Sequence, residues 1–212
     1  LLQALRPYFP LHRTRLHLMV QLLCAMLTLG TVRLPRLAGY LESSGHTEAH
    51  RYRRLQRFFA GLELELKWLV TFVIACLPEG KHWLILDRTN WKWGKTDLNI
   101  LMVAVLVGPL ALPLLWEVLP HGGSSSQKDR ESLLERLFDI VPFQRFVGVI
   151  ADREFLGQSW FGWLRQQGLK VCIRLKKDTL VDGLGKFKGF QAGSLFATVS
   201  SGEYRIWYRK IR

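Results

Sequence analysis

"VGVIADREF", residues 147–155, is an apolar run that ends on three consecutive charged residues, Asp152, Arg153 and Glu154. Val147, Val149 and Ile150 favour a strand, and a short apolar run of this kind reads as a buried one. The same pattern stands 65 residues earlier in "WLILDRT", residues 83–89, where an apolar run closes on Asp87 with Arg88 behind it. One such ending is ordinary. Two of them point to a pair of carboxylates delivered to one place, and that requirement decides how the strands between them are arranged.

Working outward, "NILMVAVLV" (99–107) and "ALPLLWEVL" (111–119) read as two more strands joined at Gly108-Pro109. The uncharged run across them, Ile100 to Trp116, has 17 residues. That is short of the roughly 20 a spanning helix needs, and a Gly-Pro pair interrupts it, so a hairpin is expected and a membrane segment is not. "HGGSSSQKD" (121–129) reads as a flexible loop, with Ser126 and Asp129 at capping-box spacing. The helix they open should turn Leu133, Leu134, Leu137 and Phe138 to the core. An amphipathic helix is expected over Phe155–Gln167, stopped by Gly168, and "LKVCIRLK" (169–176) is a fifth strand. The order is βββαβαβ, an α/β mixed sheet over residues 81–178 that resembles the ribonuclease-H-like core. In that arrangement the first and fourth strands lie side by side and Asp87 faces Asp152 near the strand ends.

Residues 1–80 read as an all-helical domain, with helices at Arg15–Leu29, Leu34–Leu41, Thr47 to Ala60 and Glu63–Leu77. Gly30 is placed to stop the first, "ESSGH" (42–46) is a turn, and Thr47 can cap the third. On that third helix Tyr52, Leu55, Phe59 and Leu62 form one stripe, while His50, Arg53, Arg54 and Arg57 fall on the opposite face, free to meet phosphates or simply solvated. Residues 179–212, rich in Gly and strand formers, look like the start of a β-rich insertion. Cys24, Cys76 and Cys172 sit in apolar runs without C-x-x-C spacing and read as buried thiols in a reducing compartment. The chain does not begin with Met, so its start is expected to be missing.

The net charge of +13 suggests a polyanionic partner. Residues 1–60 hold nine basic and two acidic side chains, residues 61–164 hold ten and twelve, and residues 165–212 hold eleven and three. The acids gather in the middle, which suits a metal-binding centre between nucleic-acid-binding arms. Two bare carboxylates a few ångströms apart repel, and a divalent cation removes that penalty. Oxygen-only ligands suit Mg²⁺ or Mn²⁺. Two such ions roughly 3.5–4 Å apart promote phosphodiester displacement. The competing reading is that each Asp caps its own helix or pairs with its own Arg.

"LILDRTNWKWG" (84–94), "HGGSSSQKDRESLLERL" (121–137) and "IADREFLGQSWFGWLRQQGLKVCIRLK" (150–176) together resemble the IS4-type DDE transposases, over roughly residues 45–178. The apolar strand ending in D-R-E-F is the most specific part. The resemblance implies a ribonuclease-H-like core, two Mg²⁺ (or Mn²⁺) ions, and strand cleavage and transfer at element ends. Its partners would be transposon-end and target DNA, with a homodimer on paired ends and a cytoplasmic location, prokaryotic and nucleoid-associated. Asp87 matches the first catalytic Asp and Asp152 the second, while Glu154 matches an accessory acid outside the triad. The third acid of such enzymes lies on a helix within a Tyr-Arg-Glu-Lys signature after a β-rich insertion, and no such signature occurs in the 212 residues. It is expected beyond Arg212, since Glu203, in "SSGEYR", is a poor substitute.

Trp91 and Trp93 follow Asp87 in a basic stretch with Arg88, Lys92 and Lys95, and read either as a platform for an unpaired base or as residues that pack on the sheet edge or form a hairpin pair. Arg88 and Arg153, each beside an Asp, either contact phosphates or hold the carboxylates in place. Two further readings share these residues: a catalytically inactive DNA-binding remnant, and a metal-dependent nuclease on the same core.

Overall fold

The structure is a computed structural model that describes residues 1–41, 45, 47–181 and 189–204. The expected turn at 42–46 and residues 182–188 and 205–212 of the expected β-rich insertion lie largely outside these residues. The chain divides into two compact units, Leu1–Cys76 and Leu77–Arg212.

The first unit is helical among the described residues: α1 (Leu2–Leu5), α2 (Arg13–Leu29), α3 (Leu34–Tyr40), α4 (Glu48–Ala60) and α5 (Leu66–Cys76). Gly30 ends α2 in the left-handed conformation at φ 58°, which costs glycine nothing. Thr47 caps α4 by accepting from the His50 N–H. Leu18, Leu22 and Ala25 of α2 bury against Leu37 and Ala38 of α3 and Leu55 and Phe58 of α4. Tyr52, Leu55 and Leu62 of the expected α4 stripe pack on this core, but Phe58 takes the place expected of Phe59, which is left 47% exposed. The Phe59 ring instead packs edge-on against Phe58, with centroids 5.4 Å apart.

In the second unit β1 (His82–Trp93), β2 (Thr96–Val107) and β3 (Leu110–Leu119) form the meander. Helix α6 (Gln127–Phe138), β4 (Phe146–Ala151), α7 (Gln158–Gln166) and β5 (Lys170–Ile173) follow, in the expected βββαβαβ order. The five strands make one mixed sheet in the order β3-β2-β1-β4-β5, antiparallel within the meander and parallel for β1–β4 and β4–β5. Parallel neighbours need a crossover, and α6 and α7 supply the two. Leu84, Leu86, Leu101, Val103 and Val105, all alternate residues of β1 and β2, form a fully buried face. Leu133, Leu134 and Leu137 of α6 are equally buried. Beyond β5 the chain forms a short hairpin, β6 (Leu180–Val181) with β7 (Phe190–Gln191), and α8 (Ala192–Leu195).

The hairpins are set by glycines in the left-handed region. Gly108 (φ 56°) and Pro109 make the turn between Val107 and Leu110, and Gly94 (φ 61°) with Lys95 makes the turn between Trp93 and Thr96. The apolar run at 100–116 is therefore two strands. No single helix among the described residues is long and apolar enough to cross a membrane.

Several expectations are corrected. β1 does not end at Asp87: antiparallel pairing with β2 carries it six residues further, to Trp93, although its apolar run stops at Leu86. The helix expected from Phe155 starts at Gln158, because Arg153–Phe155 is a separate 3-10 turn and Gly157 intervenes. Cys24, Cys76 and Cys172 are all exposed, each occupying the outward side of an otherwise apolar element. The loop at 121–125 is pinned, with Ser125 buried.

The β1–β4 pairing depends on Gly148, whose neighbours across the sheet are Trp83 and Lys170. A Cβ there would run into the Lys170 carbonyl and lie 2.8 Å from the Trp83 ring. Gly148→Ala should therefore destabilise the second unit by about 1–3 kcal/mol, as overpacking does. A lowered thermal midpoint checks this, and an unchanged one would contradict the tight packing.

At the start of α6, Ser126 accepts from the Asp129 N–H while the Asp129 carboxylate accepts from the Ser126 N–H at 2.7 Å and faces His121 Nε2 at 3.1 Å. Burial pushes the Asp129 carboxyl up, but the Ser126 and His121 hydrogen bonds outweigh it and hold it below the ordinary 3.8. His121 is raised above 6.5 by its hydrogen bond to the Gly122 carbonyl and then by Asp129. The raised histidine stabilises fully below its unfolded pKa and loses that effect as pH rises through its folded one. The lowered carboxyl stabilises above its unfolded pKa and loses that effect as pH falls. The cap should thus be strongest between about pH 4 and 6.5. Thermal scans of the wild type and His121→Gln should differ most near pH 6 and converge by pH 9; a constant difference would dissociate His121 from the cap.

Candidate active site

The last register pair of the parallel β1–β4 ladder is Leu86 with Ala151. Asp87 and Asp152 are each the next residue, so two carboxylates occupy matching positions on adjacent strands spaced about 4.8 Å apart. Both are exposed. Each binds its own backbone in the same way: Asp87 Oδ1 accepts from the Arg88 N–H at 2.8 Å, and Asp152 Oδ1 accepts from the Arg153 N–H at 2.6 Å. Asp152 also occupies the cap position of the 3-10 turn that follows. The capping reading of Asp152 therefore holds alongside its place beside Asp87.

Behind the aspartates lies a network of polar side chains. Arg88 points to the opposite face of β1 from Asp87, as strand alternation requires. Its guanidinium donates twice to Glu154, Nε to Oε1 and Nη2 to Oε2, both at 2.9 Å. Nη1 donates to Asn90 Oδ1 at 2.7 Å and Asn99 Oδ1 at 3.0 Å. Only 10% of the Arg88 side chain is exposed. The bidentate bond to Glu154, acting against burial, holds the guanidinium more firmly protonated than usual.

Asn99, buried in β2, passes the network on by donating its amide to the carbonyls of His121 at 2.8 Å and Gly123 at 3.0 Å. This is what pins the 121–125 loop. Arg130 of α6, also buried, donates to Ser125 Oγ and the Ser125 carbonyl. It also reaches the Glu154 carbonyl at 3.3 Å and lies over the Phe155 ring, 4.9 Å from its centroid. Two guanidiniums thus hold Glu154 and Phe155, the second and third residues after Asp152.

Asn99, Ser125 and Arg130 escaped the reading of the sequence, although two of them left a signal. Asn99 is the polar residue that opens the apolar run 99–107, between Leu98 and Ile100. Arg130 lies on the Leu133, Leu134 and Leu137 stripe of α6, where a charge needs a buried partner.

The remaining expected site residues are surface features. Trp91 and Trp93 are 62% and 79% exposed and share the Asp87 face of β1. They stand on the β1–β2 hairpin, opposite Leu98 and Thr96, and of the readings open to them packing on the sheet edge does not fit this exposure. Lys92 lies 3.9 Å from Asp97, and Lys95 occupies the hairpin turn. Arg153 is exposed. In the helical unit His50, Arg53 and Arg57 are exposed and Arg54 is half-buried. The Arg57 Nε donates to the backbone carbonyl of Arg53, one turn earlier on α4.

Mg²⁺ or Mn²⁺ fits the donor set at Asp87 and Asp152, which is all oxygen and open to solvent. Mg²⁺ is commonly held by one or two carboxylates, with water and substrate phosphate completing its shell. Among the described residues no group of three or more His, Cys, Asp or Glu side chains gathers to hold a metal. Glu203 is engaged in its own turn, where it accepts from the Ser200 N–H.

No curated protein matches the chain. Among solved structures, the large terminase of a thermophilic bacteriophage aligns with 47% of this chain and 25% of its own, at 17% identity and a TM-score of 0.30. The overlap spans a quarter of that terminase, and a likeness of that depth says nothing about fold or activity. Residues 78–205, more than half of the chain and including both aspartates, match the family described as the transposase DDE domain, and the chain belongs to that family.

Proposed function

We propose that the second unit is the ribonuclease-H-like catalytic core of an IS4-type DNA transposase, carrying out metal-dependent phosphodiester hydrolysis and strand transfer at transposon ends. The observation that carries this is the placement of Asp87 and Asp152 at matching positions just past the last β1–β4 register pair. Bound divalent ions, Mg²⁺ or Mn²⁺, would activate the attacking hydroxyl and stabilise the leaving oxygen. The protein's part is to hold two carboxylates on stiff neighbouring strands, open to a phosphate. Each Asp has one oxygen held by the following backbone N–H.

DNA is the partner this reading requires. The exposed Arg153 beside Asp152, and Trp91, Trp93 and Lys95 on the hairpin arm, offer charge and stacking surface on the second unit. His50, Arg53, Arg54 and Arg57 of α4 offer a basic face on the first. Two copies acting on paired ends would suit the chemistry. A second reading, a DNA-binding protein without catalysis, is favoured by the lack of a third carboxylate among the described residues.

Mn²⁺ titration followed by electron paramagnetic resonance tests the metal site directly. Asp87→Asn and Asp152→Asn should each weaken Mn²⁺ binding at least tenfold while DNA affinity stays within about twofold. Unchanged Mn²⁺ binding in both would leave only the second reading. For DNA, contact with about six phosphates gives a slope near −5 in log affinity against log salt. The double substitution Arg53→Gln, Arg57→Gln should reduce that slope by about two. An unchanged slope would remove α4 from the interface.

A further inference from the structure

We infer that Arg88 and Glu154 are positioning residues: their bidentate ion pair sets the separation of the Asp87 and Asp152 carboxylates, and neither side chain is a nucleic-acid contact. The inference rests on the metal-site reading of the two aspartates. The β1–β4 ladder ends at Leu86 and Ala151. Beyond that pair no backbone hydrogen bond of the ladder joins the two chains, and the two carboxylates that come next repel each other. The Arg88–Glu154 pair bridges the two chains just past this point. Arg88 follows Asp87 directly, and Glu154 lies two residues after Asp152.

The pair is braced on both sides. Asn90 and Asn99 hold Nη1 of Arg88, so its fork is aimed at Glu154 before any ligand arrives. Arg130 holds the Glu154 backbone carbonyl and the Phe155 ring, so the 3-10 turn carrying the acid cannot drift from α6. Only 10% of the Arg88 side chain is exposed and its guanidinium is committed to Glu154, Asn90 and Asn99, while Glu154, 26% exposed, is an anion that a phosphate would repel. Strand alternation puts Arg88 behind the carboxylate face, and the bidentate bond holds the Glu154 carboxylate there with it. Outer residues that orient metal ligands in this way typically change metal affinity 10–100-fold when removed.

Charge alone and positioning predict opposite signs, which makes the test sharp. Arg88→Gln removes a cation near the metal site, so electrostatics alone would tighten Mn²⁺ binding. Positioning predicts about tenfold weaker binding. Glu154→Asp keeps the charge but shortens the reach, and should weaken Mn²⁺ binding several-fold. The reversed pair, Arg88→Glu with Glu154→Arg, should recover part of the loss. Leu133→Ala, a core truncation in α6, controls for general destabilisation and should leave Mn²⁺ affinity within twofold.

All variants of the full chain are titrated with Mn²⁺ below their thermal midpoints, and Glu154→Asp carries the test if Arg88→Gln does not fold. Mn²⁺ binding that is lost in Asp87→Asn but unchanged or tighter in Arg88→Gln, or unchanged in Glu154→Asp, overturns the strut alone. Mn²⁺ binding indifferent to Asp87→Asn and Asp152→Asn overturns the metal reading and the strut with it.

Discussion

The parallel pairing of β1 with β4 is the constraint from which the second unit follows. It joins the meander to the helix-crossover half of the sheet, and it brings residues 65 positions apart to matching places. Because side chains alternate with period two, a slip of one residue would turn Asp152 to the face opposite Asp87. The register is protected where it is most exposed to error. Gly148 leaves no room for a side chain between Trp83 and Lys170, and the buried face of Leu84 and Leu86 pairs with Val103 and Val105 across β2.

β1 performs two tasks at once because its two faces are chemically separate. One face carries Asp87 and then Trp91 and Trp93 into solvent. The other carries Leu84 and Leu86 into the core, and then Arg88 and Asn90 into a network with Glu154 and Asn99. The polar network begins where the apolar core stops. Burying guanidiniums is costly unless their donors are used, and here Arg88 makes four hydrogen bonds and Arg130 three besides its contact with the Phe155 ring. Burial still lowers the Arg130 pKa, with Arg88 adding to that effect and Glu154 opposing it. A stiff support behind an open carboxylate pair is what a site for a hydrated cation needs.

Patterns that are local in the chain were legible in the sequence. The Gly108-Pro109 turn, the capping spacing of Ser126 and Asp129, the Gly30 stop and the two apolar runs ending in Asp each report on neighbouring residues. What was missed depends on partners distant in sequence. The polar half of β1 is a strand because β2 pairs with it, not because Arg88-Thr89-Asn90 favours one. The loop at 121–125 contains two glycines and reads as flexible, yet Asn99 and Arg130 hold its carbonyls. Phe155 was read into a helix by its hydrophobicity, whereas it sits in a tight turn beneath the Arg130 guanidinium.

By itself the sequence determined the order of the elements, the hairpin turns and the two strands that carry Asp87 and Asp152, since these follow from hydrophobic period and turn chemistry within a few residues. Only the tertiary structure decided that Asp87 and Asp152 are adjacent in register, that Arg88 turns away from them to Glu154, and that Trp91 and Trp93 stand in solvent on the carboxylate face. Those facts depend on which strand pairs with which and in what register. That is settled by burial across the whole sheet, and no short stretch of chain contains it.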